Sequence, residues 1–288
     1  MTEVPAGPGG MTGGLLLDNA GDLGELMVIK VAVHGVLGRM GQEVLSAVCR
    51  EPDLTPVGGA DATAESGTLP LPDGSGAVPL SSALADIAGP ADVVVDFTNA
   101  DGAMAAMRTA SALKTNLVVG STGLSEDNLR EAGALADQHG VGIFIAPNFA
   151  LGAVVMVHLA KLAAPFFDYA DLTEMHHEAK IDAPSGTALA IAAAVAEGKG
   201  GEFTSNVAEK KTLEGTRGGV FKGINIHSAR MPGRVAHHEL VFGTLGQTLT
   251  LRHDSINRES FMPGVVMAVR HVVKNPGLTV GLENILGL

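Results

Sequence analysis

Two adjacent imidazoles, a lysine and a Pro-Ser-Gly-Thr turn share one stretch, Glu174-Met175-His176-His177-Glu178-Ala179-Lys180-Ile181-Asp182-Ala183-Pro184-Ser185-Gly186-Thr187-Ala188. Histidine titrates near neutral pH, so either imidazole can act as acid or base without a large shift. Lys180 offers a fixed positive charge or a second proton. The turn suits an anion. A helix starting behind it leaves unpaired N–H groups at the positive end of its dipole. Gly186 lets a ligand come close to the backbone, and Thr187 adds a hydroxyl. A surface loop with solvated charges is the plain alternative for a His-His pair alone. Lysine, helix mouth and capping turn together within so few residues argue against it.

The elements that must position these groups can be read around them. Residues 171–177 read as a strand, whose successive side chains point to opposite faces, so His176 and His177 take different tasks. Pro184 biases Ala183 away from helical geometry, Ser185 is a good N-cap, and Thr187 to Glu197 reads as an alanine-rich helix.

Nearer the N-terminus, Met27 to Val33 is a β-rich run. Gly35-Val36-Leu37-Gly38-Arg39-Met40-Gly41 and a helical stretch to Arg50 follow it. A strand, a glycine turn and a helix form the first unit of a dinucleotide fold, in which the pyrophosphate sits on the helix N-terminus. The glycine spacing differs from G-x-G-x-x-G, and a ligand-free βα turn is the alternative. Arg39 stands where a phosphate or the adenosine ribose can be met. Asp61, about 20 residues beyond the turn and at the end of a second strand, suits a ribose hydroxyl. Its charge favours NADH over NADPH; Arg39 can offset it, and the choice stays open. A turn carboxylate is the other reading of Asp61.

The stretch from Glu174 to Ala188 resembles the signature E-x-H-H-x-x-K-x-D-A-P-S-G-T-A of the dihydrodipicolinate (4-hydroxy-tetrahydrodipicolinate) reductase family. The turn from Gly35 to Gly41 is similar to that family's G-x-x-G-R-M-G, Asp96-Phe97-Thr98 to its D-F-T and Ala146-Pro147-Asn148-Phe149 to its A-P-N-F. Gly120-Ser121-Thr122-Gly123 stands where the family has G-T-T-G, with a hydroxyl kept at the changed position. The likeness runs over roughly residues 27–288, which makes Met27 a candidate translation start.

The resemblance implies an α/β protein: a Rossmann-like dinucleotide-binding domain (27–148 plus 257–288) and a second α+β domain on an open mixed sheet (149–256). NADH or NADPH would be held by Gly35, Val36, Leu37, Gly38, Arg39, Met40, Asp61, Gly120, Ser121, Thr122, Ala146, Pro147, Asn148 and Phe149. The substrate would be a small dicarboxylate, a cyclic imine reduced with loss of water on the lysine and diaminopimelate route. His176 would be the general acid, and Lys180 would stabilise charge or give a second proton. His177, Gly186 and Thr187 would hold a carboxylate. Relatives form homotetramers through the second-domain sheets.

Composition bounds the rest. With 19 Lys and Arg against 31 Asp and Glu, the net charge of −12 argues against sequence-independent nucleic-acid binding. It also makes local basic groups necessary for a dianion. Cys49 is the only cysteine, which excludes an intrachain disulfide or a cysteine-rich zinc site and fits the cytoplasm. No apolar run approaches the about 18 residues a membrane helix needs, and no signal peptide is evident. Residues 1–26, Gly- and Pro-rich, read as a disordered tail.

Residues 62–79 read as a polar surface loop. Leu151 to Phe166 reads as a long apolar helix crossing to the second domain, with His158 and Lys161 outward. Strand-like runs follow at 223–230, 235–242 and 248–253, with Gly turns between them. His237-His238-Glu239 invites a metal, but alternation lets at most one histidine of each pair converge, and no third-ligand spacing stands out, so no metal is expected. A final helix runs from Asn257 to about Lys274. Arg258, near the crossover, is a substrate contact or an exposed helix-start residue. Two rival functions remain: another two-domain nicotinamide reductase of a small carboxylate, and a non-catalytic nucleotide-binding module. Neither gives a reason for the His-His-x-x-Lys and Ser-Gly-Thr constellation.

Overall fold

The computed structural model describes residues 28–205 and 210–288, so the expected tail at 1–26 lies outside the described residues. In chain order come β1 (Ile29–His34), α1 (Arg39–Arg50), β2 (Leu54–Ala60), β3 (Gly67–Pro70), β4 (Ala77–Ser81) and α2 (Ala85–Ala88). Then follow β5 (Val93–Asp96), α3 (Ala100–Ala112), β6 (Asn116–Val119), α4 (Glu126–His139) and β7 (Gly142–Ile145). α5 (Leu151–Ala163) leads to β8 (Tyr169–His176), α6 (Gly186–Lys199), β9 (Gly219–Phe221), β10 (Ile224–Arg230), β11 (Ala236–Thr244) and β12 (Gln247–Ser255). α7 (Met262–Val272), β13 (Gly277–Val280) and α8 (Glu283–Leu286) end the chain.

The first sheet runs β13-β7-β6-β5-β1-β2-β4-β3 and is parallel except for β3, which pairs antiparallel with β4. Its central strands are continuous apolar runs because helices cover both faces; Val93, Val94 and Val95 are fully buried. One face packs Val31 and Val33 against Val44 and Leu45 of α1 and Val265 and Val269 of α7. The other packs Ala32 and Val94 against Met104 and Met107 of α3 and Ala132 of α4. Strand order reverses between β5 and β1, which opens a crevice at their C-terminal ends.

The second sheet runs β12-β11-β8-β10-β9. It is mixed: β8 and β10 are parallel, the other pairs antiparallel. Alternation turns Leu172, Leu240, Phe242 and Ile224 toward α5 and α6, where they meet Met156, Ile191 and Val195. It turns Asp171, Thr173, Met175 and Val241 to the other face, where they are half-buried. α6 forms as its sequence demands. The Ser185 side chain accepts from the Ala188 amide, and Gly200 ends the helix in a left-handed conformation.

Three expectations need correction. The polar stretch at 62–79 carries β3 and the first half of β4, which extend the sheet edge. The crossing helix ends at Ala163, where Pro165 sits in a following 3-10 turn, Ala164–Phe166. The last helix opens as a 3-10 turn, Arg258–Phe261, and stops at Val272.

Candidate active site

His176 ends β8 on the helix-covered face and is 6% exposed. Its Nδ1 meets Oε2 of the fully buried Glu174. An ionised carboxylate only accepts, so Nδ1 carries the ring proton and Nε2 is left for the cleft. Burial lowers the His176 pKa first; Glu174 opposes this, and the charges of Lys180 and Arg230 add to it, leaving the ring below its ordinary value. His176 is therefore mostly neutral at pH 7. Burial works to raise Glu174, but hydrogen bonds from Arg230, Ser228 and His176 hold it below the usual carboxylate range. The His238 ring lies 5.4 Å from that of His176, edge to face. Burial, then the charge of His176, pushes His238 down to about 4. Its Nε2 lies 3.3 Å from Ser185 Oγ.

The loop after β8 brings up the remaining groups. His177 is half-buried. Lys180 Nζ donates to Asp182 Oδ1 at 2.7 Å. Gly186 and Thr187 head α6, which has no acidic residue in its first turn. A Cβ on Gly186 would meet nothing within 4 Å, so the helix mouth is open. Its polarity and free space suit a carboxylate.

In the first lobe, the predicted cofactor residues lie at the C-terminal ends of the strands. Gly35, at φ +78°, makes the turn after β1, and its amide donates to the Ala60 carbonyl at 2.8 Å. Gly41 packs against this turn so closely that a Cβ would overlap the Gly35 carbonyl oxygen. Gly38 caps α1 without a side-chain acceptor, and no acid stands in the first turn. The Gly38 amide donates to the Gly35 carbonyl at 3.0 Å, so it is the first-turn amides from Arg39 onward that fit a pyrophosphate. Leu37, Gly38 and Arg39 are exposed and Met40 half-buried; Val36 is buried, so its main chain alone is available. Asp61 accepts from the Thr63 hydroxyl at 2.7 Å and the Leu37 amide at 3.2 Å. Burial works to raise its pKa, yet those bonds keep it low and the carboxylate ionised.

Gly120, Ser121 and Thr122 follow β6, and Ala146 to Phe149 follow β7. Ala146 and Phe149 turn into the core; the Phe149 ring packs 5.8 Å from Phe97. Ser121 Oγ donates to Asp96 at 2.6 Å. Asp96, with no exposure, also takes the Thr98 hydroxyl at 2.8 Å and His34 Nδ1 at 2.7 Å. This carboxylate ties the turns after β1, β5 and β6 together at the crevice. The sequence marked Asp96 only as part of D-F-T and gave no sign of His34.

The two lobes meet around a cavity of about 870 Å³, lined by Thr122, Pro147 and Asn148 from the first and His176, Lys180 and Gly186 from the second. Asn148 Nδ2 lies 3.4 Å from Thr187 Oγ1 across the gap. An adjoining cavity of about 270 Å³ takes in His177, His238 and Arg258. Arg258 thus faces the cleft, not only solvent. Lys161 is exposed, as expected, and His158 is half-buried; both also line the larger cavity. The turn residues Gly35 to Met40 and Asp61 do not line either cavity; they stand further along the same sheet edge. His176 and His238 approach each other, and His237 turns to Asp254 instead. His177 lies in the loop just beyond β8, not on the strand, and lines the smaller cavity with His176 and His238.

Comparisons with known proteins follow the two lobes. Residues 29–149 match the family model for the dihydrodipicolinate reductase N-terminus, and residues 152–286 match the model for its C-terminus. A 4-hydroxy-tetrahydrodipicolinate reductase of Dehalococcoides mccartyi is 49% identical over 262 residues, covering 90% of this chain and 99% of that relative. One from Cutibacterium acnes is 44% identical over 268 residues, covering 91% and 100%. The solved structure of a dipicolinate-bound dihydrodipicolinate reductase from Paenisporosarcina sp. TG-14 superposes with a TM-score of 0.79 at 38% identity, over 90% of this chain and 100% of that one. A scyllo-inositol dehydrogenase from Lactobacillus casei, 11% identical with a TM-score of 0.57, shares the fold alone. With both lobes matched end to end, this chain belongs to the dihydrodipicolinate reductase family.

Proposed function

We propose that the protein is the NAD(P)H-dependent reductase of 4-hydroxy-tetrahydrodipicolinate, forming tetrahydrodipicolinate and water for diaminopimelate and lysine synthesis. The observation that carries this is one cavity holding His176, Lys180 and the α6 mouth opposite Thr122, Pro147 and Asn148. When bound, the cofactor supplies a hydride. Gly35 to Met40 and Asp61 hold its adenosine and pyrophosphate part, and Gly120 to Thr122 with Ala146 to Phe149 hold its nicotinamide part. Thr187, Gly186 and His177 grip the substrate carboxylates.

His176 delivers the proton that the reduced substrate needs. Burial keeps the free imidazole neutral, and the arriving carboxylates add the negative charge that favours protonation. Proton uptake is then coupled to substrate binding. Lys180 supports developing charge beside it. The domain division that follows is 27–148 plus 257–288 for the cofactor and 149–256 for substrate and assembly. The protein acts in the cytoplasm as a homotetramer built on the second sheet.

The test is a spectrophotometric assay of NADH and NADPH loss with freshly made substrate. His176→Gln is expected to lower kcat by about 10²- to 10⁴-fold with cofactor Kd unchanged. An unaltered kcat removes His176 from the reaction.

A further inference from the structure

His176 and Lys180 line the cavity, but both are anchored by a pair of residues that do not. Glu174 lies two residues before His176 on the covered face of β8 and has no exposure. Arg230, at the end of the parallel neighbour β10, donates to both Glu174 oxygens: Nη1 to Oε2 at 3.1 Å and Nη2 to Oε1 at 2.9 Å. Such a fork fixes the carboxylate plane as a single lysine contact cannot. The same Nη2 donates to the Asp182 carbonyl at 2.5 Å, and Asp182 in turn holds Lys180 Nζ. One guanidinium thus ties the His176 strand to the Lys180 loop.

We propose that Glu174 and Arg230 are positioning residues: Glu174 fixes the His176 tautomer with Nε2 toward the cavity, and Arg230 locks that carboxylate and the Lys180 loop into one frame. This rests on the reading of His176 as the proton donor. A neutral imidazole has one donor and one acceptor nitrogen, and the partner of the buried nitrogen decides which is which. With Nδ1–H given to Glu174, Nε2 is free to take up a proton and pass it on. The groups facing His176 are Glu174 on its own strand, Arg230 on β10, His238 on β11 and Lys180 from the following loop. Among these only Glu174 is acidic. Burial and the two cationic neighbours all lower the ring's affinity for a proton, and Glu174 is the group that opposes them.

The experiment uses full-length protein with ¹⁵N-labelled histidine. Ring nitrogen shifts are followed over pH beside the pH profile of kcat, and His176→Gln identifies the signal. In Glu174→Gln the amide carbonyl goes to Arg230 and the amide NH₂ faces Nδ1. The ring proton is then expected to move to Nε2 and the His176 limb to fall by about 1–3 pH units. kcat at neutral pH should drop by about 10²- to 10⁴-fold while cofactor KM changes less than about threefold. Glu174→Met with Arg230→Met removes both charges, so no unpaired ion is left to unfold the protein. A purely structural role predicts recovered activity in this folded double variant; positioning predicts that kcat stays low. Near wild-type kcat in the double variant, or an unmoved tautomer and limb in Glu174→Gln, overturns the proposal. If His176→Gln keeps its kcat while Glu174→Gln still moves the ring proton, the proton-donor reading fails and the anchoring of the ring stands.

Discussion

Asp61 is ionised, held by Thr63 and the Leu37 amide at the sheet edge where an adenosine ribose would lie. An extra phosphate beside it would meet like charge. Asp61→Asn is therefore expected to raise kcat/KM for NADPH relative to NADH by about tenfold, a difference of about 1.4 kcal/mol. Steady-state rates with each cofactor check this, and an unchanged ratio would mean that the carboxylate does not meet the ribose. His238 gives a pH-dependent stability. Its pKa falls from an ordinary 6.5 to about 4 on folding, so the unfolded chain binds more protons between those values. The contribution is whole above pH 6.5 and lost as pH falls toward 4, about 3 kcal/mol in all. Urea midpoints over that range should decline, and His238→Gln should flatten the decline; an equally steep curve in the variant assigns it elsewhere. His176, Lys180 and Gly186 were legible because they are close in sequence. Arg230 was not: it reaches Glu174 across 56 residues through the register of β10 on β8, which no local pattern encodes.

The mouth of α6 separates function from stability. Gly186 begins the helix with open space around it and an ordinary negative φ, so a methyl group costs the fold nothing and intrudes only on a ligand. Gly186→Ala is expected to keep the melting temperature within about 2 °C, a shift well under 1 kcal/mol. The same change should raise the substrate KM about tenfold or more. A lowered melting temperature with normal KM would show that the glycine serves the helix instead. Patterning made the major elements readable: apolar runs for β1, β5 and β7, and a capping serine with an alanine run for α6. It failed at 62–79, where Gly, Pro and Ser hide β3 and β4. The hairpin tolerates Pro70 and Pro79 because β3 is an edge strand and β2 pairs with β4 only at Leu80 and Ser81.

At the scale of the molecule, the second sheet has one face under α5 and α6 and the other carrying Tyr169, Thr173, Met175 and Val241. A half-covered sheet with apolar members suits association with further copies. Sedimentation equilibrium is expected to give four times the 29.3 kDa chain mass, and Val241→Asp a smaller species; a wild-type monomer would refute the assembly. The path of the chain has another consequence. α7 fills the first lobe's core beside Val44 and Leu45, and β13 lies against β7 at the edge of its sheet. During synthesis the second lobe has all its strands once Ser255 has emerged, whereas the first must wait for residues up to Val280. The part of the polypeptide made earliest is thus the last to be finished. Until β13 has emerged from the ribosome it presents an unclosed apolar layer, exposed to chaperones and proteases.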